Sequence, residues 1–261
     1  MTPAEMESLQ KLKSCFIASI THEFRTPLSA ISASMEYLLE EMEHLTKAEV
    51  KELLTSVNLS VSTLQTLVDN LLESASIESG NFRVFIQPIE IMDAVEEAVR
   101  TVMPIFQRRE QKLVVESSDC LPLIKGDQAR LVQVLVNLLS NASKFGPIGQ
   151  TVEIVINKSD SSHVRVSVID QGSGVKIDKK EDLFQRFIHE DPCTNCHYGI
   201  GLGLSIVKAI IEGHDGSVGM DAKEHRGSIF WFTVPCVTDT ENYPLHLERN
   251  TASNKEKMTF R

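Results

Sequence analysis

The sequence predicts two units of different class: an all-α helical hairpin suited to pairing into a dimeric four-helix bundle, followed by an α+β sandwich. Three observations predict this. Up to Ser79 the chain contains no glycine, and Pro27 is the only proline after Pro3. Within that stretch apolar residues recur at alternating spacings of four and three, the period of packed helices. After Gly80 the pattern changes to short β-branched runs, broken by glycine and separated by helical stretches.

The first helix is marked by the stripe Ile17, Ile20, Phe24, Leu28, Ile31, Met35, Leu38, Met42 and Leu45. Thr46-Lys47-Ala48-Glu49 follows, a threonine three residues ahead of a glutamate, which is the pattern of a capping box and starts a second helix. That helix carries a heptad seam through Val50, Leu54, Val57, Val61, Leu64, Val68, Leu71 and Ala75. A short connection makes the two helices antiparallel. A lone hairpin of this kind has wide apolar faces that nothing in the region covers, so a homodimer is expected from burial alone. Ile77-Glu78-Ser79-Gly80 reads as a helix end with glycine just beyond it. The first domain is therefore expected at residues 1–79.

Strands are expected at Phe82–Ile86, Lys112–Glu116, Thr151–Asn157, His163–Ile169, Gly216–Met220 and Ser228–Pro235, and helices at Ile89–Phe106, Gln128–Lys144 and Leu202–Glu212. They do not alternate regularly, which favours an α+β sandwich over a doubly wound parallel sheet. This second domain spans residues 80–236, and 237–261 read as a polar tail.

Composition narrows the function. Of 261 residues, 42% are hydrophobic and 24% charged, ordinary for a chain with a buried core. A net charge of -10 argues against a nucleic-acid-binding surface, which carries a basic patch. Five cysteines at irregular spacing do not form a disulfide framework and fit a reducing compartment. No apolar run reaches the roughly 18–20 residues of a membrane span. A cytoplasmic setting is expected, and the helical character of the opening PAEMESLQKLK predicts a piece of a longer protein.

Four motifs carry chemistry. In Ser19–Leu28, His22 lies two residues from both Ile20 and Phe24, so it faces away from the stripe. Beside it Glu23 can hold the Nδ1 proton and leave Nε2 to attack an electrophile. Thr26 follows one turn later and could position a water, and Pro27 predicts a kink just beyond. In Asn137–Phe145, Asn137 and Asn141 share one helix face and Lys144 follows a turn later, a set that suits Mg²⁺ bound mostly by phosphate and water. Asp170-Gln171-Gly172-Ser173-Gly174 ends an apolar strand, where a carboxylate can accept the exocyclic amine of adenine and glycines let backbone approach the base. Gly199-Ile200-Gly201-Leu202-Gly203-Leu204 opens a helix, whose N-terminal N–H groups suit a phosphate. A dinucleotide fold would need a strand before these glycines, and a polar loop stands there instead. Read singly, each motif is equally a solvated helix face or a plain turn.

Their order is what decides. The sequence resembles the histidine kinases of two-component signalling in HEFRTPL at His22–Leu28, NLLSNASKF at Asn137–Phe145, DQGSG at Asp170–Gly174, LFQRF at Leu183–Phe187 and GIGLGL at Gly199–Leu204. The resemblance covers about Lys13 to Cys236 and implies an ATP-binding domain of the gyrase, Hsp90, histidine kinase and MutL superfamily behind a phosphotransfer hairpin. It implies autophosphorylation of His22, with Glu23 and Thr26 beside it, and transfer to an aspartate of a response regulator receiver domain, with possible phosphatase action on that regulator. It implies Mg²⁺ at Asn137 and Asn141, and ATP bound by these together with Lys144, Phe145, Asp170, Gly172, Gly174, Arg186, Gly199, Gly201, Leu202 and Gly203. A lid would run from about Phe184 to Tyr198. The alternative is an ATP-gated conformational or docking module without histidine phosphorylation, whose relatives carry an acidic residue where Asn137 stands. His189, Cys193, Cys196 and His197 in the lid match zinc, redox and haem-attachment spacings, but the bland reading, a solvated loop, is preferred.

Overall fold

The computed structural model describes residues 3–118, 120–174, 182–184, 201–222, 227–237 and 256–260. Of the described residues, those up to Phe82 together with Gly201 and Leu202 group as one compact unit, and the others as a second. In the first, α1 (Pro3–Glu41) and α2 (Lys47–Glu78) form the hairpin. The turn between them is fixed by the expected capping box. The Glu49 N–H donates to Thr46 Oγ1, and Thr46 N–H and hydroxyl both donate to the Glu49 carboxylate at 2.8 and 2.7 Å. These bonds, the hydroxyl's first, hold the Glu49 carboxyl below the usual carboxylate range, so the cap is intact at neutral pH and is lost as acid protonates it. At the far end Gly80 adopts φ +69, the left-handed conformation that lets the chain leave the helix.

The heptad seam of α2 divides between two environments. Val57, Leu64 and Leu71 are partly covered, whereas Leu54, Val61 and Val68 are exposed, joined by Leu72 at 66% exposure. On α1, Leu28, Met35 and Leu39 are likewise exposed, as is Met42 just past its end, and the spacing of seven and four puts the first three on one side. The hairpin closes one seam and leaves a second apolar stripe on each helix. α1 continues as one helix through Pro27, which is buried.

The second unit is a two-layer sandwich. Helices α3 (Ile91–Arg108), α4 (Gln128–Phe145) and α5 (Gly203–Gly213) cover one face of a six-stranded sheet. The strands are β2 (Lys112–Ser117), β4 (Thr151–Lys158), β5 (His163–Ile169), β6 (Ser217–Ala222), β7 (Ser228–Pro235) and β8 (Glu256–Phe260), in the order β6-β7-β5-β4-β2-β8. Only β2 and β4 run parallel. Period-two burial in β4 and β5 sends Val152, Ile154, Ile156, Val164, Val166 and Val168 into the core, under α4, while α3, with its buried stripe of Val95, Val99, Val102 and Phe106, packs on β2 and α4. A separate pair, β1 (Gln87–Ile89) and β3 (Ile124–Gly126), is antiparallel.

Two expectations need correction. Phe82–Ile86 is not a strand: pairing begins only at Gln87, opposite Gly126, and Phe85 is 79% exposed. Alternation without a neighbouring chain does not make a strand. The expected tail ends in β8, which pairs antiparallel with β2 from Leu113↔Phe260 to Ser117↔Glu256. The outer edge of β2 offers unpaired N–H and C=O groups, and β8 takes them up. Among the described residues no helix is long and apolar enough to cross a membrane.

Ending the chain at Val237 is expected to bare the β2 edge. Its melting temperature should fall by roughly 4–8 °C, corresponding to about 2 kcal/mol lost from a domain of this size, with rising light scattering on heating. Calorimetry and scattering of the truncated chain check this.

Candidate functional site

The site residues of the first unit sit in the middle of α1. His22, Glu23 and Phe24 are partly exposed and Thr26 is exposed. Thr26 Oγ1 donates back to the His22 carbonyl at 3.4 Å, leaving its lone pairs turned outward. His22 is not among the residues lining the groove of about 780 Å³ on the hairpin, which Ile20, Phe24, Leu28 and Leu71 help to form. The imidazole and the apolar groove therefore belong to different faces, as the spacing predicts.

In the second unit, α4 delivers Asn137, Asn141 and Lys144 along one face. Asn137 is 8% exposed, and its Nδ2 is buried with no partner. A donor buried without an acceptor costs about 1–3 kcal/mol. Its Oδ1 lies 3.5 Å from where a Cβ on Gly203 would stand, so the first residue of α5 abuts the amide. Asn141 is partly exposed and Lys144 exposed, with Lys144 Nζ 5.9 Å from the centre of the Phe145 ring. Gly201 has φ +71, and Leu202 is 2% exposed.

β5 delivers Asp170 to the opposite side. The carboxylate is 4% exposed, and Oδ1 accepts N–H bonds from Gly172 at 2.7 Å and Ser228 at 3.2 Å. This pair of bonds turns the chain sharply after the strand. A Cβ on Gly172 would sit 3.0 Å from both Asp170 Oδ1 and the Phe145 carbonyl, so the Asp170 loop and the end of α4 touch. Gly174 has φ +75. The structure thus brings Asn137 to Gly203, and Phe145 to Asp170 and Gly172. Arg186, Gly199 and the lid cysteines and histidines lie outside the described residues.

Sequence reasoning missed the groups that hold these residues in place. Gln150 donates from Nε2 to the Ala142 carbonyl at 2.7 Å and accepts the Gln171 N–H on Oε1 at 3.0 Å. Gln111 Nε2 donates to the Ser143 and Pro147 carbonyls, and its Oε1 accepts the Ser143 hydroxyl at 2.5 Å. Arg109 Nη2 donates to the Gly146 carbonyl at 3.0 Å. Gly227, at φ +106, lets β7 pass against the Asp170 carbonyl. The one sequence signal was a lone glycine ahead of a strand; the glutamines gave none.

Comparison with known proteins agrees with this layout. Residues 12–80 match the His Kinase A (phospho-acceptor) domain, and residues 126–238 match the Histidine kinase-, DNA gyrase B-, and HSP90-like ATPase. The Sensory/regulatory protein RpfC of Xanthomonas campestris pv. campestris is 34% identical over 88% of this chain. The chain spans about a third of that relative's length, 32%. ShkA, solved full-length in complex with AMPPNP, is 28% identical with a TM-score of 0.60, over 92% of this chain and 47% of that one. Histidine kinase ThkA, solved in complex with response regulator protein TrrA, shares the fold at 22% identity and a TM-score of 0.58, over 89% of this chain and 64% of that one. The second unit is thus an ATP-binding fold, set behind a phospho-acceptor hairpin. By that two-domain architecture the chain belongs to the sensor histidine kinases of two-component signalling.

Gly227→Ala should place a methyl group against the Asp170 carbonyl in a conformation that L residues avoid. A loss of about 2 kcal/mol or more is expected, read from the urea midpoint of unfolding.

Proposed function

We propose that the chain is the autokinase core of a sensor. In it the domain at 80–236 binds ATP, and His22 of the hairpin at 1–79 receives the γ-phosphoryl group and passes it to an aspartate of a response regulator receiver domain. The observation that carries this reading is the buried, partnerless amide of Asn137 at the foot of α5, in a chain whose first domain is of the phospho-acceptor kind. The ShkA likeness, in a protein solved with AMPPNP, supports ATP as the nucleotide.

In this reading Asp170 accepts the exocyclic amine of adenine, with Gly172 and Gly174 giving the base room. Lys144 and the N–H groups at the start of α5, with Gly199, Gly201, Leu202 and Gly203, hold phosphate oxygens. Arg186 is assigned to nucleotide binding as well. Phe145 flanks the base. The oxygens of Asn137 and Asn141 would hold Mg²⁺, which when bound neutralises phosphate charge. These ligands being neutral amides, they leave the ion's charge for the phosphates.

His22 Nε2 forms the bond to the γ-phosphorus as the bond to the bridging oxygen breaks, and ADP departs with that electron pair. Glu23 holds the Nδ1 proton through this step. Thr26, whose single hydroxyl proton is given to the His22 carbonyl, keeps lone pairs to orient a water on the regulator's phosphoaspartate, a phosphatase role. The ATP requirement supports a cytoplasmic site of action.

Labelling with γ-labelled ATP and Mg²⁺ tests the assignment. His22→Gln should abolish acid-labile, alkali-stable labelling while ADP binding persists. Asn141→Asp, equal in volume but charged, should reduce labelling at least about tenfold with the fold intact. Persistent labelling of His22→Gln would put the phosphate elsewhere.

The working unit is a homodimer, with the exposed stripe of Leu54, Val61, Val68 and Leu72 covered by a second hairpin. Wild type should scatter light as a dimer at micromolar concentration. Leu54→Lys with Val61→Lys, each burying an unpaired charge at a cost of about 3–5 kcal/mol, should scatter as a monomer of unchanged helicity.

A further inference from the structure

We infer that Gln150 is a positioning residue for the nucleotide, a strut that fixes the spacing between the two walls of the pocket. The inference rests on the reading of Asp170 and the α4 end as those walls. Gln150 lies just before β4, outside every motif, and is 3% exposed. Its Nε2 donates to the carbonyl of Ala142, between Asn141 and Ser143 on α4, at 2.7 Å. Its Oε1 accepts the N–H of Gln171, between Asp170 and Gly172, at 3.0 Å. One amide therefore spans from the metal-facing helix to the adenine-facing loop, donating on one side and accepting on the other. Glutamate keeps the acceptor and lacks the donor, and methionine of similar length lacks both.

Gly146 records how closely the strut is seated. Its φ of -86 is ordinary for any residue, so backbone freedom does not explain a glycine there. A Cβ would collide with the Gln150 amide, nitrogen, carbon and oxygen alike. The strut is also separable from folding of the helix end. Gln111 and Arg109 fasten the same turn to the α3–β2 side through the Ser143, Pro147 and Gly146 carbonyls. With Gln150 gone, the end of α4 keeps those ties and loses the side-chain bond to Gln171.

The test uses the full chain, titrated with Mg·ADP by calorimetry, with ATP-dependent labelling measured alongside. Gln150→Met and Gln150→Glu should weaken ADP binding about tenfold, from the lost buried hydrogen bonds. The labelling rate at saturating ATP should remain within about twofold, because the strut lies away from the transferred group. Gly146→Ala should weaken binding similarly in the wild-type background and add nothing in Gln150→Ala, where the amide it meets has gone. That arm decides the matter if Gln150→Met does not fold. Unchanged ADP affinity in Gln150→Met and Gly146→Ala would overturn the inference. So would a lowered melting temperature with unchanged affinity of the folded fraction, which is a purely structural role. Asp170→Asn, run in parallel, separates the two readings: if it binds ADP as wild type does, the wall assignment fails and the strut falls with it. If only Asp170→Asn weakens binding, the strut alone fails.

Discussion

The last turn of α4 has to present Asn141, Lys144 and Phe145 outward, and it must also find partners for carbonyls that no further turn will satisfy. The side chains that face the ligand cannot serve both ends. The fold meets the demand with side chains from elsewhere, Gln111 for Ser143 and Pro147 and Arg109 for Gly146, and Gln150 adds a second bond to the Ala142 carbonyl, which already accepts the Gly146 N–H. At the other end of the helix the demand is for acceptors. Asp127 caps it, with Oδ1 taking the Arg130 N–H at 3.3 Å, and the Asp127 N–H donates to His214 Nε2 at 2.9 Å. His214, 1% exposed, closes the last turn of α5 through Nδ1 and the Ile210 carbonyl at 2.7 Å. That pair of bonds requires the neutral imidazole, with its proton on Nδ1. α4 and α5 are thus pinned together at two levels, Asp127 to His214 and Asn137 to Gly203, each ten or eleven residues apart along its own helix. The register between α4, which carries Asn137 and Asn141, and the start of α5 follows from these contacts.

The hairpin is organised by a different rule. Along α2 the hydroxyls of Thr55, Ser60, Ser62, Thr63 and Thr66 each bond the carbonyl four residues back, so they satisfy themselves locally and specify no partner. Specificity comes from the apolar rows instead. One row closes the hairpin, and the other, through Leu54, Val61 and Val68, stays exposed in the single chain. His22 stands off both the groove and these rows. The proposed role of phosphoryl acceptor calls for open approach, and an imidazole in a helix-packing seam would have none.

Local pattern made most of the fold legible. His163–Ile169 and Ser228–Pro235 fall where the alternation of valine and isoleucine puts them, and the capping box at Thr46 is fixed within four residues. Failures cluster at sheet edges, where pairing depends on a distant chain. Nothing in Glu256–Phe260 announces a strand until the free edge of β2 is in view, and Phe82–Ile86 alternates without a neighbour. The same division holds in the site. Asn137, Asp170 and Gly203 were legible because their spacing and order are distinctive. Gln150 and Gln111 were not, because they grip backbone carbonyls and N–H groups, which every residue carries. A bond from a side chain to a backbone atom leaves a trace at one position only, and a lone glutamine before a strand has no pattern to complete.

The division into two units has a chemical consequence. His22 belongs to the first and Asn137 to the second, while the bonds that shape the nucleotide pocket, from Asp170 to Gly172 and Ser228 and from Gln150 to Ala142 and Gln171, lie within the second. In the proposed reading, the nucleotide site and the phosphoryl acceptor therefore fall to different parts of the chain. The chain leaves the hairpin at Phe82, and three residues later the Phe85 N–H donates to Asp127 Oδ2 at 3.0 Å. Asp127 caps α4 with its other oxygen and meets His214 through its N–H. The start of the second unit is thus bonded to the residue that anchors the starting end of α4. α4, whose head that hydrogen bond holds, is the helix that carries both Asn137 and Asn141.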